Sequence, residues 1–153
     1  MAKRNHFKSA ELAVIREFVA NIDPEIKVFR GSRFEVDIEE EKIYLGNKRF
    51  DRVSALFLDY WEDHFRNLPL NWLVLSILHE VGHIMTQDTE LDDNRDLLTS
   101  MYDFMFSSGA INEQEYFKAY FGIPAERLAT EWGIDFYLQN QDLCNHLALQ
   151  LGA

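Results

Sequence analysis

The sequence predicts an α+β fold: a small antiparallel meander sheet set into a mainly helical body. Two changes of hydrophobic period carry that reading. Between Ile26 and Leu45 the apolar residues alternate, as they do in half-buried strands, whereas before and after this stretch they recur at spacings of three and four, as on one face of a helix. The first helix is expected from Ser9, as its cap, to about Asn21. Leu12, Ile15, Val19 and Ile22 form its apolar face, and Asp23-Pro24 closes it. Ile26 and Val28, then Phe34, Val36 and Ile38, then Ile43 and Leu45 give three short strands in meander order. The Glu39-Glu40-Glu41-Lys42 run is expected to be a solvated turn, and Gly46-Asn47 ends the section.

From Asp51 the helical period returns. Val53, Leu56, Phe57, Tyr60, Trp61, His64 and Phe65 share a face, on which His64 reads as a hydrogen-bonded core residue. Asn67-Leu68-Pro69 breaks the chain. Asn71 or the Pro69 turn starts the next helix, which runs to about Met85, and the polar, acidic stretch Gln87–Asn94 is expected to be a loop. The remainder reads as four helices: about Asp96–Phe106, Asn112–Phe121, Pro124–Gln139 and Asp142–Leu151. Asn112 with Glu115 forms a capping-box pattern, and Pro124 suits a first turn.

Composition narrows the function. The 153 residues are 47% hydrophobic with few Gly and Pro, enough for one core, so a single domain over residues 1–153 is expected. A net charge of -11 repels nucleic-acid phosphate and anionic membrane, and neither is expected as a partner. The N-terminus lacks the apolar run and cleavage site of a secretory leader. The longest apolar stretch, Trp72 to Leu78, is far short of the roughly 20 residues that cross a bilayer. A soluble, cytoplasmic protein is therefore expected. Cys144 is the only cysteine, which excludes an intramolecular disulfide and a Cys-rich zinc site, and it reads as a small buried apolar residue.

The chemistry concentrates in His79-Glu80-Val81-Gly82-His83. Two imidazoles four residues apart on a helix project from one face and can ligate one metal. A site with few protein ligands leaves a position for water, whose pKa zinc lowers to about 7. Glu80, beside the first histidine, is placed to take that water's proton and pass it to a leaving amine. Between Arg66 and Asp88 these three are the sole ionisable side chains, at the end of the apolar run WLVLSIL, where polar groups need partners. Gly82 between the histidines would let another backbone or a substrate come close.

This segment, with SILHEVGHIM at its core, resembles the active-site helix of zincin metallopeptidases. Glu131-Trp132-Gly133-Ile134-Asp135 resembles the ExxxD of the gluzincin branch, although Ile134 stands where that branch commonly has a small residue. The chain's size, the short sheet before the motif and the lack of a leader are further similar to ImmA/IrrE-like and phage-encoded metallopeptidases. The resemblance covers about a sixth of the chain. It implies Zn2+ held by His79, His83 and Glu131, with Asp135 orienting a histidine through its free ring nitrogen. Glu131 and Asp135 also stand one turn apart among apolar neighbours, where unpaired carboxylates would repel. Glu126, Asp88, Asp92 and His146 remain rival ligands, and Tyr120, Tyr137 and His146 are candidates to stabilise an oxyanion. No histidine follows His83 at the metzincin spacing.

The expected function is thus an intracellular zinc endopeptidase acting on a protein or peptide, which could add a strand to the sheet edge. The alternative is a metal-binding interaction or inhibitor protein, of phage or mobile-element type, that does not turn over. Glu80 favours the enzyme, because binding alone has no use for a base beside the metal. A purely structural zinc is disfavoured, since such sites take four protein ligands.

Overall fold

The structure is a computed structural model and describes residues 6–48, 52–65 and 70–152, except the side chains of 62–65. The first helix, α1 (Ser9–Ile22), buries Leu12, Ile15, Phe18 and Val19 along one stripe, as its three-and-four spacing requires. Lys8, not Ser9, sets its start: the Lys8 N–H donates to Glu11 Oε1 at 2.8 Å. The Ser9 hydroxyl accepts from the Arg30 guanidinium instead.

Strands β1 (Lys27–Arg30), β2 (Glu35–Asp37) and β3 (Lys42–Leu45) form a sheet in the order β1-β3-β2, which corrects the expected antiparallel meander. β2 runs antiparallel to β3 with Val36 opposite Ile43, while β1 runs parallel to β3 with Val28 opposite the same residue. The physical reason lies in burial. Ile43 and Leu45 are wholly shielded, whereas β2 has no fully buried residue and carries Glu35 and Asp37. The strand with most to remove from water takes the centre, and the charged strand takes an edge. Alternation specifies which face a side chain takes but not which strand is its neighbour. The turn before β3 covers residues 38–41, so Lys42 belongs to the strand. Glu41 closes it in the left-handed region, at φ 52°.

Helix α2 (Arg52–Phe65) brings Trp61 into a small cluster with Leu75 and Ile134. The His64 side chain and the Asn67-Leu68-Pro69 break lie outside the described residues. Asn71 starts α3 (Trp72–Met85), its side chain accepting from the Leu73 and Val74 N–H groups at 3.0 and 3.1 Å. Helix α4 (Thr89–Ser107) begins inside the stretch expected to be a loop. Asp88 caps it, accepting from the Leu91 N–H at 3.0 Å, and Glu90 and Asp92 occupy the first turn. Acids that look like a loop in sequence are here the favoured residues of a helix N-terminus.

Next come α5 (Glu113–Phe121), with the predicted Asn112/Glu115 capping box, α6 (Pro124–Gln139), with Pro124 in its first turn, and α7 (Gln141–Gln150). The class is α+β, seven helices and a three-stranded mixed sheet among the described residues. The main core joins α1, the sheet, α3 and α7 through Ile15, Val19, Ile43, Leu45, Ile77 and Leu147. Helix α3 is central, and its most extensive contact is with α6. Among the described residues no helix is long and apolar enough to cross a membrane.

Candidate metal centre

The centre is a product of how closely α3 and α6 approach. Gly82 faces the backbone of Ala129, where a Cβ would stand 2.3 Å from the Ala129 carbonyl oxygen. Gly133 faces Leu78, whose Cβ would be 3.2 Å away. Small residues on both helices let the main chains meet, so the side chains beside these contacts meet as well.

Those side chains are His79 and His83 of α3 and Glu126 of α6, whose donor atoms all lie within 4.8 Å of one another. Glu126 Oε2 stands 2.5 Å from His83 Nε2 and 3.7 Å from His79 Nε2. The two imidazole rings are 4.8 Å apart and nearly perpendicular. Such a group can hold a metal ion. Glu126 Oε2 is buried, and among the described residues no donor makes a well-directed hydrogen bond to it, despite the nearness of His83. An ionised oxygen in that position needs a cation, and two imidazole nitrogens with one carboxylate are a donor set that suits zinc.

The geometry brings Glu126, not Glu131, to the two histidines. Glu131, implied by the resemblance, is half-exposed and lies beside Arg127, and Asp135 is exposed. Five residues turn an α-helix by about 140° and nine by about 180°. Glu131 and Asp135 therefore point away from the face that carries Glu126. That face is Glu126, Ala129, Thr130, Gly133 and Tyr137, all buried. Glu126 is one of the rival ligands that the sequence offers.

The residue beside the second ring nitrogen of His79 is Thr130, not Asp135. His79 Nδ1 lies 2.7 Å from the Thr130 hydroxyl oxygen. That hydroxyl donates to the Glu126 carbonyl at 3.2 Å, so its lone pair faces the ring. The proton is accordingly assigned to Nδ1, which leaves Nε2 unprotonated toward Glu126. Nothing in the one-dimensional pattern marked Thr130 beyond its place next to Ala129.

Electrostatics follow from burial and this clustering. Burial disfavours the Glu126 carboxylate, yet the two histidines outweigh it and hold the carboxyl well below its ordinary range. Burial opposes a charged His79, but the neighbouring Glu126 and Glu80 raise its pKa. Glu80 is buried, and that desolvation raises its pKa against the pull of His79 and His83. A carboxyl whose proton affinity is raised by burial is suited to exchange protons.

The remaining candidates separate cleanly. Asp88 caps α4, and Asp92 accepts from the Asp88 N–H at 3.2 Å. His146 is exposed on α7. The Tyr137 hydroxyl donates to Asn145 at 2.8 Å and accepts from the Asn71 N–H at 3.2 Å, a structural bond pair. Tyr120 adjoins the centre: burial, then the negative charge of Glu126, push its pKa up. Arg95 of α4, which the sequence did not suggest, acts electrostatically on His79, Glu80 and Glu126. A cleft of about 690 Å3 opens between β2 and the start of α4; Arg95 lines it, and the three donors do not. Compared with family models, curated proteins and solved structures, the chain matches none.

Proposed function

We propose that the chain is a zinc-dependent endopeptidase in which His79, His83 and Glu126 hold the metal and Glu80 is the general base. The observation that carries this reading is a buried Glu80 with a raised pKa, next in sequence to His79 and close to a His-His-Glu donor group. A zinc ion bound there would lower the pKa of a water and polarise a peptide carbonyl. Glu80 accepts the proton of the attacking water and returns it to the departing amine. Its burial raises its proton affinity above that of an exposed carboxylate, which favours taking up the proton. Thr130 fixes the His79 tautomer, so that Nε2 faces the donor group. Tyr120 and Arg95 supply donors near the carbonyl that gains charge.

The substrate is a protein or peptide segment in extended form. Among the described residues β2 pairs only with β3, and its residues line the cleft that Arg95 also lines. A segment added along that edge would be held by main-chain hydrogen bonds.

The test combines zinc content with hydrolysis of a peptide library by the wild type and by Glu80→Gln. The amide cannot accept the proton, so turnover should fall by about a hundredfold to ten-thousandfold while zinc is retained. An untouched library with zinc-loaded wild type, or equal cleavage by both proteins, overturns the peptidase reading. If the protein's effect in its host needs His79 but not Glu80, a metal-bound interaction protein replaces it.

A further inference from the structure

Helix α4 is long, yet none of its residues is fully buried. It rests on its neighbours through half-buried Leu91, Leu98, Tyr102 and Met105. On a flank about 100° round the helix from these, Leu97, Met101 and Phe104 are 62%, 49% and 74% exposed. Their spacing of four and then three residues makes one continuous apolar ridge, roughly 10 Å long. Isolated exposed apolar residues are ordinary, but a contiguous ridge on one helix marks a contact surface.

A second ridge runs beside it. Asp96, Ser100 and Asp103 each precede one member of the apolar ridge, and all three are exposed. Asp93 extends the row at its N-terminal end. Over its whole length α4 carries Glu90, Asp92, Asp93, Asp96 and Asp103 against the single base Arg95. We infer that this outer face of α4 is a docking site for a basic amphipathic helix of a protein partner. Its apolar stripe would cover Leu97, Met101 and Phe104, and its Lys or Arg residues would meet Asp93 and Asp96.

Charge decides the occupant. A second copy would bring the same acids against each other, on a chain whose net charge is already -11, and like charges across an interface are strongly disfavoured. A basic helix turns the same acids into attraction, and ridge-to-groove packing of two helices suits the four-and-three spacing. The docking does not rest on the peptidase reading, because its apolar ridge belongs neither to the donor group nor to the cleft, whose lining the docking face shares only through Asp93 and Asp96.

The probes are two synthetic amphipathic helical peptides with the same leucine stripe, flanked by Lys and Arg in one and by Glu in the other. Binding to the zinc-loaded full chain is followed by fluorescence anisotropy, and the chain's own association by sedimentation. The basic peptide should bind, more weakly as salt rises, and the acidic peptide should not. Leu97→Ser with Phe104→Ser should weaken binding about tenfold or more, and so should Asp93→Lys with Asp96→Lys. The changed side chains are exposed, so circular dichroism should show both variants folded. The second variant leaves the apolar ridge intact. Equal binding of both peptides, binding of neither, binding unchanged by both variants, or a homodimer that Leu97→Ser with Phe104→Ser dissolves would each overturn the inference.

Discussion

Thr130 shows how much one hydroxyl decides, because it sets which nitrogen of His79 is free. Thr130→Val keeps the shape but removes that partner, and zinc affinity should fall by roughly 10- to 100-fold in a chelator competition. Glu126→Ala removes a donor and should weaken zinc far more. Glu131→Ala and Asp135→Ala should leave it unchanged, since both residues point away from the centre. Protons compete for the same nitrogens. The carboxylates of Glu126 and Glu80 raise the His79 pKa against the effect of burial, which strengthens the proton's competition with zinc. Zinc affinity should therefore decline as pH falls toward and through that value, with protons released on binding; Glu126, held low, stays ionised throughout this range. A competition titration at several pH values checks the slope, and a flat profile would deny His79 a ligand role. His79, Glu80 and His83 were legible in the sequence because one helix turn brings them together. The third donor was not, since it depends on how α6 is rotated about its own axis. Ala125, Ala129 and Gly133 did carry that rotation as a row of small residues, with Glu126 beside it.

At the scale of elements, the α3–α6 contact reverses an ordinary preference. Replacing Gly by Ala inside a helix normally gains about 1 kcal/mol. Gly82→Ala should instead destabilise, by about 1–3 kcal/mol, because the new methyl meets the backbone of Ala129, which cannot turn aside. Gly133→Ala, facing the side chain of Leu78 at a longer distance, should be milder. Denaturant melts of the two variants test the order. Asn71→Ala removes the cap that receives two N–H groups at the start of α3 and should cost about 1 kcal/mol. Caps and periods made most helices readable in advance, including the Asn112/Glu115 box and the Asn71 start. The start of α4 was misread because Asp88, Glu90 and Asp92 suit both a solvated loop and a helix N-terminus. Only packing distinguishes the two.

For the molecule as a whole, the candidate donors lie between α3 and α6, while the apolar contacts that join α1, the sheet, α3 and α7 are made by other residues. Chelation should therefore lower the melting temperature while leaving the helical circular dichroism in place. Zinc at about a thousand times its dissociation constant should add roughly 4 kcal/mol of stability. A chain that unfolds outright on chelation would mean that the metal organises the fold. The strand order bears on time as well. A meander could assemble one hairpin after another as the chain emerges, but here β1 has no neighbour in the sheet until β3 arrives. Residues 31–41 must first pass outward and return before Val28 finds Ile43. The sheet is thus completed by the last of its strands to be synthesised. Until then β1 has α1 to pack against but no partner for its main-chain ladder, which makes closure by β3 the step at which a slowly folding chain is most exposed to aggregation.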